Sequence, residues 1–153
     1  MKRLGLILAF AILNFGALGL GGWLMDGGPT TDWYLELNKA PWTPAGWVFG
    51  LAWTSIMICF TFYMAHLFSK AESRWALWLY SIQLVTNISW NYFFFGRHMM
   101  LLGLIVLTIL TVVVWMMFFK FKKQMGISSY LLIPYMIWLL VACSLNAYAW
   151  LNN

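Results

Sequence analysis

Apolar residues fill most of this sequence, and nine basic and four acidic residues interrupt them only at intervals. Five long stretches carry no formal charge: residues 4–25, 40–69, 75–96, 98–119 and 124–153. A transmembrane helix needs about 20 apolar residues, which each stretch can provide. Trimmed at turn-forming residues, the stretches predict helices over 4–24, 45–68, 75–95, 99–119 and 129–151.

The composition places the chain among membrane proteins. Hydrophobic residues make up 63% of its 153 positions and charged residues only 8%, whereas roughly a quarter of a water-soluble domain is charged. A β-barrel strand would alternate polar with apolar residues, and the run 101–117 does not. We therefore predict an all-α integral membrane protein, with one five-helix transmembrane domain over residues 1–153. The net charge of +5 comes from too few groups to form a nucleic-acid surface.

Lysine and arginine placement predicts the orientation, because short cytoplasmic loops carry an excess of both. Seven basic residues fall on one side: Lys2, Arg3, Lys70, Arg74, Lys120, Lys122 and Lys123. Only Lys39 and Arg97 fall on the other. This asymmetry predicts a cytoplasmic N-terminus and an outer C-terminus. A cleaved signal peptide is the alternative for the first stretch, although the apolar core of such peptides usually has about 7 to 15 residues.

The connection over residues 25–44 is too long to serve only as a link between helices. It holds three acidic residues and three of the four prolines: Asp26, Asp32, Glu36, Pro29, Pro41 and Pro44. Thr31 or Asp32 is a suitable N-cap for a short helix through Glu36, and the proline rings restrict the rest of the chain. We predict that this segment folds as a lid over the outer end of the bundle.

Residues typical of catalytic and metal sites are sparse. All four carboxylates are predicted in loops, so none is available within the membrane for acid–base catalysis or proton relay. Cys59 and Cys143 are expected to be small buried side chains rather than a disulfide. His66 and His98 differ too much in depth for one metal site, and axial haem ligation by His66 alone is the less favoured alternative. We predict no metal site and no required cofactor.

The third predicted helix carries an informative set of polar residues. Gln83, Asn87 and Asn91 recur every four residues and form one stripe, with Trp90 and Phe94 beside it. Amides that face lipid are costly, so the stripe must point into the bundle. There it acts either as hydrogen-bonding glue, worth about 0.6 kcal/mol per contact, or as the polar wall of a cavity. Periodicity alone does not separate these interpretations.

The depth of three tryptophans favours a cavity. Many of the eleven Trp residues lie near predicted helix ends, as in an interfacial belt. At about 1.5 Å per residue, Trp53 lies about 12 Å and Trp90 about 8 Å from the outer ends of their helices. Trp138 lies near the midplane, and Asn87 is about as deep as Trp53. Rings and amides from three helices thus share one depth beneath the lid, which predicts a cavity there.

Three groups of residues, in order along nearly the whole chain, together resemble one family. The first group is Trp33, Tyr34, Leu37, Lys39, Pro41, Trp42, Thr43, Pro44, Phe49 and Trp53. The second is Gln83, Leu84, Asn87, Trp90, Phe94, Phe95 and Gly96. The third is Leu132, Pro134, Tyr135, Trp138, Ala142, Leu145, Asn146, Leu151 and Asn152. They resemble the signatures of the tryptophan-rich sensory proteins, whose animal members are the translocator proteins or peripheral benzodiazepine receptors.

The resemblance implies a five-helix bundle, commonly a homodimer, in a bacterial cell membrane, with a pocket closed by the first loop. It implies flat hydrophobic ligands: porphyrins such as protoporphyrin IX and, in animal members, cholesterol and drug-like compounds. Carried over by motif position, the pocket residues are Tyr34, Trp42, Trp53, Asn87, Trp90, Phe93, Tyr135, Trp138 and Asn146. We expect a membrane receptor or carrier that binds tetrapyrroles, with Lys39 pairing with a propionate.

Two other functions stay open at this point. Some bacterial relatives are associated with light-dependent degradation of protoporphyrin IX, in which Trp53 and Trp138 would react. The third possibility is a non-catalytic membrane scaffold. The sequence has Ala45 where the family usually has a second proline, and it lacks a basic residue after Tyr148, which weakens the case for sterol binding. The GxxxG motif at 46–50 leaves the dimer face undecided.

Overall fold

The computed structural model describes residues 2–70 and 74–153, and these residues contain no β-strand. The helices are α1 (Lys2–Leu24), α2 (Asp32–Glu36), α3 (Gly46–Lys70), α4 (Arg74–Asn91), α5 (Met100–Met125) and α6 (Ile133–Asn152). A π-helical turn, Tyr92–Gly96, extends α4, and 3₁₀ segments occupy Gly28–Thr30 and Gly126–Leu132. The prediction of an all-α chain is confirmed.

Three helical segments of the described chain are long and apolar enough to cross a membrane: Arg3–Thr30, Gly46–Lys70 and Met100–Asn152. The last contains α5 and α6 together with the 3₁₀ segment that joins them. α4 is not among the three, because its 18 residues include Arg74, three amides and three Ser or Thr hydroxyls, which lower its mean hydropathy. These lengths and compositions are those of a membrane protein.

Two helix boundaries differ from the predicted ones by several residues. α5 continues to Met125, beyond the predicted end at 119, because lysines are good helix formers and stabilise the negative end of the helix dipole. It ends where Gly126 adopts a positive φ of 57°. α6 begins at Ile133 rather than 129, since the preceding seven residues form the 3₁₀ segment. Glu72, predicted in a loop, lies outside the described residues.

The long helices form one bundle with two unlike ends. α1 packs against α3 and α4, while α5 packs against α4 and α6. We call the end that holds Arg3, Lys70, Arg74 and Lys120 the basic half, and the end that holds residues 25–44 the lid half. The most deeply buried large side chains lie at mid-height or in the basic half: Ile56, Met57, Phe60, Tyr63, Met64, Leu67, Leu107, Leu110, Met117, Met125, Leu132 and Tyr135.

A buried hydrogen-bond chain joins three helices in the interior. The Asn14 carboxamide accepts a hydrogen bond from the Tyr80 hydroxyl at 2.9 Å and donates one to Thr61 Oγ1 at 3.0 Å. All three side chains are buried. Because each polar group finds a partner within the bundle, the contact fixes the relative register of α1, α3 and α4.

Candidate functional site

A cavity of about 310 Å³ opens in the lid half of the bundle, and we call it the lid cavity. Its walls come from α1, α3, α4 and the segment 25–44 that covers it. The lining residues are Ala17, Leu18, Gly22, Met25, Pro29, Tyr34, Leu35, Lys39, Thr43, Pro44, Gly46, Phe49, Trp53, Asn87, Trp90, Asn91 and Phe95. The predicted position beneath the lid therefore does contain a cavity.

The lid is an ordered segment with its own short helix. The chain turns out of α1 through left-handed backbone at Asp26 and Gly27, with φ of 50° and 85°. Thr31 then caps α2, since its Oγ1 accepts a hydrogen bond from the Tyr34 amide. At the other end of α2, Lys39 Nζ donates to the carbonyls of Tyr34 and Leu35 at 2.9 and 3.0 Å. The predicted short helix and its Thr31 cap are confirmed.

Three of the contacts that hold the lid against the bundle involve polar groups or close ring stacking, and we call these three the lid contacts. Trp33 stacks on His98, which follows the π-helical turn, with ring centroids 4.0 Å apart and an interplanar angle of 11°. Trp42 Nε1 donates to Ser144 Oγ of α6 at 3.1 Å. The Asn38 amide donates to Asn153 Oδ1 at 2.8 Å, and Asn153 Nδ2 donates back to the Asn38 carbonyl at 3.3 Å. The lid is thus fastened on two sides of the cavity.

Tyr34 and Lys39 bring the polar chemistry of the lid to the cavity. Lys39 Nζ lies 4.8 Å from the centre of the Tyr34 ring, and both residues line the cavity. Burial raises the pKa of the Tyr34 phenol, so the hydroxyl stays protonated and able to donate a hydrogen bond near neutral pH. Two of the three N–H groups of Lys39 Nζ bond to carbonyls at the end of α2, and the third is available to a ligand.

Aromatic rings form the deeper walls of the cavity. Trp53 and Phe49 project from α3, one turn apart, and Trp90 faces the cavity from α4. Trp90 is held in place twice: its ring stacks on Phe94 at 5.8 Å, and its Nε1 donates to Asn146 Oδ1 at 3.3 Å. Flat rings held in this way offer faces on which a planar guest can stack.

The amide stripe of α4 divides between two roles. Gln83, deepest in the bundle, donates through Nε2 to the Tyr135 hydroxyl at 2.9 Å, so it ties α4 to α6. Asn87 is only 4% exposed, lines the cavity, and makes no side-chain hydrogen bond to another residue of the described chain. Asn91 also lines the cavity, and its Nδ2 donates to the Asn87 carbonyl at 3.4 Å. The stripe therefore contains one amide that links two helices and two amides that form part of the cavity wall.

Four of the nine predicted pocket residues line the lid cavity: Tyr34, Trp53, Asn87 and Trp90. Asn146 lies behind Trp90, beside a second cavity of about 40 Å³, and its Nδ2 donates to the Met100 carbonyl at 3.2 Å. Both ends of its carboxamide are therefore engaged within the protein. Asn146 fixes the Trp90 ring rather than facing the larger cavity.

The other four predicted pocket residues lie outside the lid cavity. Tyr135 is fully buried behind Trp53, with ring centroids 6.0 Å apart. Trp138 is buried behind Phe49 at 5.3 Å, and within the described chain its Nε1 has no hydrogen-bond partner. Trp42 is 55% exposed and lies against Ser144 and Tyr148 of α6. Phe93 packs its ring against Tyr92.

The sequence did not predict one wall of the cavity, because its residues carry no distinctive functional groups. It is formed by Ala17, Leu18 and Gly22 of α1. The approach of α1 to α4 is close at Gly21, where an added Cβ would lie 2.6 Å from Asn91 Nδ2. The run of glycines in α1 was the only available signal, and it indicates close helix packing rather than a ligand.

The lid cavity combines stacking surfaces with few polar groups. Lys39 is the one charged side chain among the described residues that line it, accompanied by the Asn87 and Asn91 amides and the Tyr34 hydroxyl. The described residues contain no group of three His, Cys, Asp or Glu side chains placed to hold a metal ion. This arrangement suits non-covalent binding of a flat, mostly apolar molecule with a polar or anionic edge.

Comparison with known proteins identifies relatives over almost the whole chain. The sequence profile of the TspO/MBR family matches residues 9–151. The tryptophan-rich protein TspO of Chlorobaculum tepidum is 30% identical over 150 residues, covering 95% of each chain. Protein CrtK of Rhodobacter capsulatus is 32% identical over 125 residues, covering 79% of this chain and 78% of its own. The translocator protein of Ovis aries is 30% identical over 128 residues, covering 79% of this chain and 75% of its own.

Proposed function

From the premise that this chain belongs to the TspO/MBR family of membrane proteins, we propose that it is a receptor or carrier for tetrapyrroles such as protoporphyrin IX. The names of relatives speak of sensing and translocation but not of a ligand. The proposal rests chiefly on Asn87, a buried carboxamide without a protein partner that faces a cavity walled by aromatic rings. A carboxamide that lines a cavity and has no partner in the described chain is available to donate and accept hydrogen bonds to a ligand there.

In the proposed complex, the macrocycle stacks against Trp53 and Trp90, and Asn87 bonds to its polar atoms. Lys39, on the lid, offers its remaining donor to a propionate. Asn146 acts indirectly by holding Trp90. The cavity of about 310 Å³ is at the lower end of the range of roughly 300–1,000 Å³ for small-molecule sites. A whole tetrapyrrole therefore requires the lid to rise or the macrocycle to protrude between helices.

A titration with protoporphyrin IX, followed by its own absorbance in detergent micelles, tests the site. We expect Trp53→Leu to weaken binding about tenfold, since it removes a stacking surface and buried apolar area. Trp47→Leu is the matched control, because Trp47 lies on the same helix, is 71% exposed and does not line the cavity. Equal affinity in the two variants, or binding that never saturates, would contradict the proposed site.

The same proposal includes five membrane crossings, a cytoplasmic N-terminus and a homodimer. Five helices of 18 to 26 residues support the crossings by length, α4 being the shortest. The clustering of Lys70, Arg74 and Lys120 at one end supports the orientation. Single cysteines at Ser69 and Asn153, in a chain carrying Cys59→Ala and Cys143→Ala, should label from opposite sides of sealed bacterial cells. Labelling from the same side would refute the topology. A monomer mass by light scattering of the detergent-solubilised protein would refute the dimer.

A further inference from the structure

A shallow groove on α5 lies apart from the lid cavity and shares no lining residue with it. Six residues from one face of α5 line this groove: Thr111, Val112, Trp115, Met116, Phe119 and Lys120. We call it the α5 groove. At about 1.5 Å per residue it extends about 13 Å along the helix, toward the basic half.

The floor and walls of the α5 groove are apolar and outward-facing. Val112, Met116 and Phe119 are all exposed. The one hydroxyl in the groove, that of Thr111, already donates to the Leu107 carbonyl of its own helix at 2.8 Å. In a membrane-crossing helix such a surface meets hydrocarbon, and a groove of this length accommodates part of one extended acyl chain.

The end of the α5 groove toward the basic half is cationic. Lys120 Nζ lies 4.6 Å from the centre of the Trp75 ring, which projects from the neighbouring helix α4. Trp75 is itself exposed, as expected of an aromatic ring at the boundary between hydrocarbon and headgroups. Lys120 makes no ion pair with any acid within residues 2–70 and 74–153. The ring therefore positions an ammonium group that no acid of the described residues neutralises, at the end of α5 where headgroups are expected.

The charges of the described residues favour a lipid over a second copy of the chain as the occupant of this groove. In a two-fold dimer through α5, the clusters of Lys120, Lys122 and Lys123 would approach their own copies. The acids at described positions, Asp26, Asp32 and Glu36, all lie in the lid, at the opposite end of the bundle. Like charges at the same depth would repel. A lipid with an anionic headgroup instead satisfies the apolar groove and its cationic end together.

We infer that the α5 groove binds an anionic phospholipid, with one acyl chain against Val112, Met116 and Phe119 and the phosphate at Lys120. The Trp75 ring positions Lys120 for this contact. The inference depends on the membrane location of α5 and not on the ligand of the lid cavity, so each can fail without the other.

Native mass spectrometry of the purified protein with equal amounts of phosphatidylglycerol and phosphatidylcholine tests this inference. We expect wild-type protein to retain phosphatidylglycerol preferentially. Lys120→Gln should reduce that preference about fivefold, the ratio that corresponds to about 1 kcal/mol for one basic residue at a membrane surface. Lys123→Gln, which removes the same charge from the same helix outside the groove, should reduce it by less than about twofold.

A second pair of variants tests the groove without changing charge. Met116→Trp fills it and should lower retention of phosphatidylglycerol, whereas Ile109→Trp, at an exposed position of α5 outside the groove, should not. Equal effects of Lys120→Gln and Lys123→Gln would show that the lipid preference comes from general surface charge, and this result would overturn the proposed site. Loss of dimers rather than lipid in Met116→Trp would assign the groove to a second copy of the chain and also overturn it.

Discussion

In the basic half, Phe60 has no exposed surface and lies among the rings of Tyr63, Tyr80 and Tyr135, whereas in the lid half Phe49 and Trp53 border an open cavity. All of these rings belong to the same bundle, and Phe49, Trp53 and Phe60 lie on one helix. Side chains fill the interior of the basic half, whereas the lid half contains a cavity that residues 25–44 cover. The closely packed core and the proposed ligand site thereby lie at different ends of the molecule.

The largest effect should come from emptying the basic half. Phe60→Ala removes a fully buried ring and should lower the free energy of unfolding by about 3–5 kcal/mol. Phe49→Ala enlarges an existing cavity and should cost clearly less. Reversible denaturation in mixed micelles, monitored by circular dichroism, measures both. Equal losses would show that the two halves are not packed differently in energetic terms.

The next effect separates the two amides of one stripe. Asn87→Leu should weaken protoporphyrin IX binding about fivefold, because a ligand hydrogen bond of about 1 kcal/mol is lost. Gln83→Leu should leave affinity nearly unchanged and lower stability by about 0.6 kcal/mol, since its bond is to Tyr135. Titration and denaturation of both variants give the comparison. A binding defect confined to Gln83→Leu would reverse the assignment.

A smaller effect should follow from loosening the lid. Asn153→Ala removes both hydrogen bonds to Asn38 and should increase the dissociation rate of protoporphyrin IX about threefold to tenfold. Asn152→Ala is the control, because Asn152 donates only to its own helix, at the Tyr148 carbonyl. Stopped-flow displacement measures the rates. Identical rates in the two variants would mean that this contact does not restrain the lid.

The smallest effect concerns two adjacent glycines of α1. An added Cβ meets nothing within 4 Å at Gly22 but approaches Asn91 Nδ2 to 2.6 Å at Gly21. Gly22→Ala should therefore stabilise the helix by up to about 1 kcal/mol, through the higher helix propensity of alanine. Gly21→Ala should lose that gain, because Asn91 must shift. Equal melting temperatures in the two variants would show that α1 and α4 are not in close contact at this point.

The helices were predictable because charge-free apolar runs of this length have few alternatives to α-helix in a membrane. The burial of Gln83 and Asn87 followed from their spacing of four. That spacing did not predict that the amides have different partners. Four residues advance a helix by about 400°, so each step rotates the stripe by about 40° around the helix. Gln83 consequently meets α6 and Asn91 meets α1.

Rise per residue gives the depth of a side chain but not its direction around the helix. Trp53 and Trp138 were expected at similar depths, but only Trp53 lines the lid cavity, whereas Trp138 packs behind Phe49. The contribution of α1 was unpredictable for a different reason. Alanine, leucine and glycine have no chemistry that distinguishes a cavity wall from a helix contact.

The three lid contacts are the Asn38–Asn153 hydrogen bonds, the Trp42–Ser144 hydrogen bond and the stack of Trp33 on His98. None of them involves a carboxylate. Ionic strength screens interactions between charges but acts only weakly on contacts of this kind. The covering segment should therefore open at nearly the same frequency in dilute buffer and in concentrated salt. The rate at which a ligand enters and leaves the cavity would then be nearly independent of the salt concentration in the surrounding compartment.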